Sequence, residues 1–146
     1  MAGPTPFESA RLILKLYGLR RDPLLREARA WFLRDFNPTT AEECLAVAGG
    51  ERNAWFRMVL GYWDMAASLV TFGAIDAGMF RAANTEIMVT FAKVQPFLGK
   101  IREVSGIPEF CAHLERVVQA APGAEERLAL LREQCRAQRA TEGTGE

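Results

Sequence analysis

Apolar residues recur every three to four positions along almost the whole chain, which is the period of helices that bury one face. The first run opens at Pro6, where a helix tolerates proline best, with Phe7, Ala10, Leu14 and Tyr17 as its apolar row and Gly18 as its stop. Glu8, Arg11 and Lys15 form a separate polar row, so an amphipathic helix is predicted. Asp22-Pro23 starts a second helix carrying Leu24, Ala28, Trp31, Phe32 and Phe36, and Asn37-Pro38 ends it. Thr40 followed by Glu43 predicts a capping box at the head of a short third helix closed by Gly49-Gly50.

A long fourth helix follows from about residue 51 to 72, broken by Gly73, with Asp76 as cap of the next element. Phe80, Ala83, Ile87, Phe91 and Val94 mark a fifth helix that Gln95-Pro96 must kink or divide before Phe97 to Val104 continue it. Pro108 opens a sixth with Phe110, Leu114, Val117, Val118 and Ala121 on one face. Beyond Pro122-Gly123, a seventh turns Leu128, Leu131 and Cys135 inward. No segment alternates at strand length between turn signals, and no repeat of solenoid period recurs. The expected fold is all-α, a compact bundle of about six to seven helices, with residues 1–140 as one domain and 141–146 as a frayed polar tail.

The fourth helix carries the most information. From Ala54 to Phe72 it is apolar around its circumference except at Arg57, Gly61, Asp64, Ser68 and Thr71, whose spacings of four, three, four and three residues gather them into one stripe. Such a helix is expected at the bundle's centre. Its stripe then either faces water, lets a neighbouring helix approach, or lines a polar groove. If the next helix packs antiparallel to it, Asn84, Thr85 and Glu86 come into reach, so Arg57, Asp64, Asn84 and Glu86 are the candidate ligand-binding residues. Trp55, Phe56, Tyr62 and Trp63 on the same helix, with Trp31, Phe32 and Phe91 elsewhere, read as an aromatic core.

Composition narrows the function classes. The 146 residues are an ordinary size for one domain, and 18 Lys+Arg against 18 Asp+Glu give a formal charge of zero, so the field that drives nucleic-acid binding is missing. A local excess of Arg11, Lys15, Arg20, Arg21, Arg26, Arg29 and Arg34 reads as a solvated face. Cys44, Cys111 and Cys135 are widely spaced and read as buried apolar residues in a reducing compartment. The start MAGPTPFESARL lacks the basic and apolar segments of a signal peptide, so a cytoplasmic location is expected. Residues 58–75 are short of the roughly 20 a membrane span needs, and Asp64 within them would cost about 3 kcal/mol at mid-bilayer. No membrane role is expected.

Catalytic equipment is sparse. His113, the only histidine, falls two residues after Cys111 and so on another helix face, and neither a nucleophile pair nor a metal site can be assembled around it. Asp64, Asp76 and Glu86 have no characteristic carboxylate spacing, and no phosphate loop or nucleophile elbow occurs. No catalytic residue, metal or cofactor is expected.

The run WDMAASLVTFGAID, the later F-x-x-x-N-T-E and the segment KVQPFLGKIRE resemble a group of small all-helical bacterial proteins, a domain of unknown function, over Asn53 to Arg132. The resemblance implies the helical fold and carries over no functional residue. Two functions follow as expectations. The first is a protein–protein interaction module, homodimeric or bound to another protein through exposed apolar helix surface. The second is a small-molecule pocket between the fourth and fifth helices, with Arg57 as anion partner and Asp64, Asn84 or Glu86 as polar contacts.

Overall fold

The computed structural model describes residues 2–144 and contains helices alone among them. The elements are α1 (Pro6–Arg20), α2 (Pro23–Arg34), α3 (Ala41–Ala48), α4 (Asn53–Thr71), α5 (Ala77–Ala83), α6 (Glu86–Val94), a 3-10 turn (Gln95–Phe97), α7 (Leu98–Ser105), α8 (Ala112–Gln119) and α9 (Ala124–Glu142). The count exceeds the six to seven expected because the long fifth pattern is cut twice. Asn84 leaves helical geometry at the end of α5 and its side-chain amide donates to the Phe80 carbonyl, a local bond that competes with helix continuation. Pro96, without a donor, then tightens the chain into the 3-10 turn. Thr141 and Glu142 of the expected tail belong to the last turn of α9, and Gly145 and Glu146 lie outside the described residues.

The central position expected of α4 is the one it occupies. Phe56, Val59, Leu60, Tyr62, Trp63, Ala66 and Ala67 are all buried, and α2, α3 and α8 pack on it. Aromatic rings join these helices: Phe32 stacks on Phe36 at 4.7 Å, Phe36 meets Phe56 at 5.5 Å, and Trp31 meets Trp55 edge-on at 6.1 Å. Rings so placed contribute beyond the area they bury.

Two local expectations fail. In α1, the apolar row faces outward: Phe7 is 83% exposed, Leu14 69% and Tyr17 55%, while Ser9 and Leu16 are buried and Leu12 and Ile13 pack on the core. Polar anchors decide this orientation, since the Ser9 hydroxyl accepts from the Asp76 amide at 3.0 Å and the buried Tyr62 hydroxyl donates to the Leu16 carbonyl at 2.7 Å. Both would be lost if α1 rotated to bury the Phe7 row, and Leu12, Ile13 and Leu16 would then face water. At the other site, Pro108 does not open a helix. The chain turns through Cys111 in left-handed geometry (φ 57°), and α8 begins only at Ala112.

Side-chain caps open four of the nine α-helices among the described residues. Thr5 and Glu8 form a full capping box on α1, and the Asp22 carboxylate accepts from the amides of Leu24 and Leu25 on α2. At α3 the Thr40 hydroxyl accepts from the Glu43 amide as expected, but the Glu43 carboxylate accepts from the Thr39 amide at 2.9 Å and not from Thr40.

Candidate functional site

Part of the polar stripe of α4, Asp64 and Thr71, faces α8. Asp64 is half-buried, and its Oδ1 accepts from the backbone amides of His113 (3.1 Å) and Leu114 (3.0 Å), the second and third residues of α8. These are amides that no carbonyl within a helix can reach, and a carboxylate there also meets the positive end of the helix dipole. Cys111, the residue at the cap position, supplies no side-chain acceptor, so Asp64 caps α8 from another helix. One helical turn pair further along the stripe, the Thr71 hydroxyl lies 2.6 Å from Nδ1 of His113, whose ring packs against Phe72 at 5.3 Å. Arg57 and Gly61, at the stripe's other end, are exposed.

Asn84 and Glu86 belong to a different cluster, between α1, α2 and α6. Arg29 holds Glu86 with two bonds, Nε to Oε2 at 2.8 Å and Nη2 to Oε1 at 2.7 Å, and Arg20 approaches Oε1 at 3.9 Å. The Glu86 bond raises the Arg29 pKa above its ordinary range. Arg20 Nη1 also donates to Oδ1 of the buried Asn84 at 3.2 Å, and its guanidinium lies 5.2 Å from the Trp63 ring. Planar guanidinium groups suit both roles. The four residues singled out in the sequence therefore occupy three settings, and only Asn84 and Glu86 share a partner, Arg20. Asp64 ties α4 to α8, Asn84 and Glu86 tie α6 to α1 and α2, and Arg57 stands at the surface. The N-terminal arginines read as a solvated face include two, Arg20 and Arg29, that are largely covered.

A further polar residue was not anticipated. Lys93 is 6% exposed, and its ammonium donates to the carbonyls of Phe32 (2.9 Å), Leu33 (2.7 Å) and Phe36 (3.1 Å) and to Oδ1 of Asn37 (2.9 Å). A positive charge is thus buried at the C-terminal end of α2, where helix carbonyls lack partners and the dipole is negative. Its signal in the sequence was a lone cation within the otherwise apolar run from Ile87 to Val94.

Chemistry at the two buried thiols is suppressed. Burial pushes Cys44 up to about 11 and Cys111 up to about 12, far from nucleophilic thiolates at neutral pH. Among the described residues no group of His, Cys, Asp or Glu could hold a metal ion, and no helix is long and apolar enough to cross a membrane.

Exposed apolar side chains occur at Phe72, Val104, Ile107 and Leu130 among others, and the outward row of α1 gathers several on one helix face. Its members follow one another at spacings of three, four and three residues, with Ala10 half-buried between the exposed Phe7 and Leu14. Glu8 and Lys15 lie together on one flank, and Arg11 borders the row on the same side.

No curated protein and no solved structure matches the chain. A family model described as a domain of unknown function, DUF4760, matches residues 6–120, which take in α1 to α8 and the whole Asp64 and Glu86 settings. That match covers well over half of the 146 residues, and the chain belongs to the DUF4760 family.

Proposed function

We propose that the domain is a self-associating interaction module in which α1 pairs antiparallel with α1 of a second copy. The observation that carries this reading is the exposure of Phe7, Leu14 and Tyr17 on a helix whose other face is anchored. A row spaced three, four and three reads the same in either direction. Antiparallel pairing centred near residue 12 sets Phe7 against Tyr17 and Ala10 against Leu14 of the second copy, a large residue against a small one at each inner position. The same register brings Glu8 level with Lys15 of the second copy along the shared flank, which offsets the approach of the two Arg11 side chains near its centre. Four side chains fall short of the roughly 800 Å² a standard interface buries on each partner, so the pair is reversible. The three cysteines are unpaired, which suits the cytoplasm.

Light scattering over a concentration series tests the reading. The mass is expected to approach twice the 16.2 kDa of the chain at high concentration and to fall toward 16.2 kDa on dilution. Leu14→Glu should hold the mass at one chain throughout while shifting stability by no more than about 0.5 kcal/mol, because Leu14 is a surface residue. A wild-type mass of one chain at a concentration of about 1 mM, where contacts worth roughly 4 kcal/mol are half populated, would remove the proposal.

A further inference from the structure

A cleft of about 110 Å³ opens between the loop after α2, the end of α6 with its 3-10 turn, and α9. Its walls are chemically divided. Pro38, Ala92, Pro96 and Phe97 provide apolar surface, while Lys93, Arg132, Arg136 and Arg139 provide four cations, and no acid among the described residues lines it. The three arginines recur at four and three residues on α9 and so form one stripe along the cleft. Two of them have fixed partners. Arg132 donates to Gln95, and Arg139 donates to the Asn37 carbonyl at 2.7 Å and pairs with Glu43 at 2.8 Å, beside the rim. Arg139 lowers the Glu43 pKa to about 2, so that pair stays ionised and largely offsets its own charge. Arg136 makes neither a hydrogen bond nor an ion pair among the described residues, and Lys93 spends its protons on carbonyls.

We infer that this cleft binds a small organic carboxylate, its charged group at Arg136 and its apolar body against Phe97, Pro96 and Ala92. A guanidinium offers two parallel donors to a carboxylate, and the net positive wall supplies an anion's counter-charge without a competing acid. The volume is well above the roughly 10 to 15 Å³ that a single water needs, so the cleft admits a small organic group. Its three arginines belong to α9, beyond the residues 6–120 that match the family, whereas Lys93 lies within them. The site is independent of the α1 row and lies away from Asp64, so its failure leaves the self-association reading untouched.

Benzoate and hexanoate are suitable probes, with benzyl alcohol and inorganic phosphate as controls that keep the body or the charge alone. Calorimetric titration should show saturable binding of at least one carboxylate below about 10 mM, with each control weaker by about tenfold. Arg136→Gln, at an exposed position that holds no partner, should keep the fold and weaken carboxylate binding by about tenfold. Alkylation locates the event, because Cys135 lines the cleft and is half-buried whereas Cys44 and Cys111 are buried. Bound carboxylate should slow modification of Cys135 in the wild type and not in Arg136→Gln. Absence of binding by both carboxylates, equal binding by benzyl alcohol or phosphate, or unchanged affinity in Arg136→Gln overturns the inference.

Discussion

Replacing Lys93 with Met is expected to lower the unfolding free energy by about 3 kcal/mol at neutral pH, more than any other single surface or polar change discussed for this chain. Met matches the volume of the stem but withdraws the donor from Phe32, Leu33, Phe36 and Asn37 at once. Each buried acceptor left without a partner costs about 1–3 kcal/mol, and the sum is reduced because the variant no longer buries a charge. Urea unfolding of the two proteins measures the difference. A loss below about 1 kcal/mol would mean that the carbonyls at the end of α2 find other donors, and that Lys93 is not what closes that helix.

The same ammonium predicts a signed pH dependence. Burial lowers its pKa from 10.5 to about 8, against the opposing pull of Cys135 and Glu142 on α9 and Asp35 beside α2. Between those two values the unfolded chain holds a proton that the folded chain has released. Wild-type stability therefore rises as pH increases through that window, while below about 8 both states are protonated and the full cost of burying the charge is present. Lys93→Met removes the rise. The stability gap between wild type and variant should widen from pH 8 to pH 10, and parallel profiles would refute the assignment.

Periodicity made the helices legible because each bundle helix must bury a continuous stripe, and the central place of α4 followed from its lack of a wide polar face. The failures come from polar bonds and backbone geometry that hydrophobic spacing does not report. On α1, Leu12, Ile13 and Leu16 form a second apolar stripe around Ser9, and the bonds at Ser9 and Leu16 hold that stripe inward. On α5, the Asn84 amide ends a pattern whose apolar positions run on without interruption. Cys111 adopts a left-handed conformation that nothing in its residue type announces.

The candidate site was half legible for a related reason. Spacing identified the α4 stripe and so drew out Asp64, but which helix it meets depends on tertiary packing. A short connection argued for the following helix, whereas the partner is α8, whose amides lie 49 and 50 residues further along the chain. Asn84 and Glu86 likewise met arginines from α1 and α2, 64 and 57 residues away, instead of α4. Contacts at such separations leave no periodic trace. The apolar row of α1 was visible as a pattern, and only its exposure gave it a role beyond the core.

Asp64→Ala is expected to destabilise the domain by about 2 kcal/mol, through the start of α8 and not through any ligand. Two backbone amides lose a charged acceptor, and Cys111 has no side-chain oxygen to replace it. The site is half-buried, so water can satisfy part of the loss, which keeps the effect below that of stranding a fully enclosed partner. Asp64→Asn separates capping from charge, because both bonds fall on Oδ1 and an amide oxygen can occupy that place. It should recover more than half of the stability, losing only the interaction of a full charge with the helix dipole, about 0.5 kcal/mol. Amide hydrogen exchange provides the local readout: His113 and Leu114 should exchange faster in Asp64→Ala and near the wild-type rate in Asp64→Asn. If Asp64→Ala shifts stability by no more than about 0.5 kcal/mol and leaves those two amides protected, α8 is capped by something else and the stripe of α4 is open to the ligand role again.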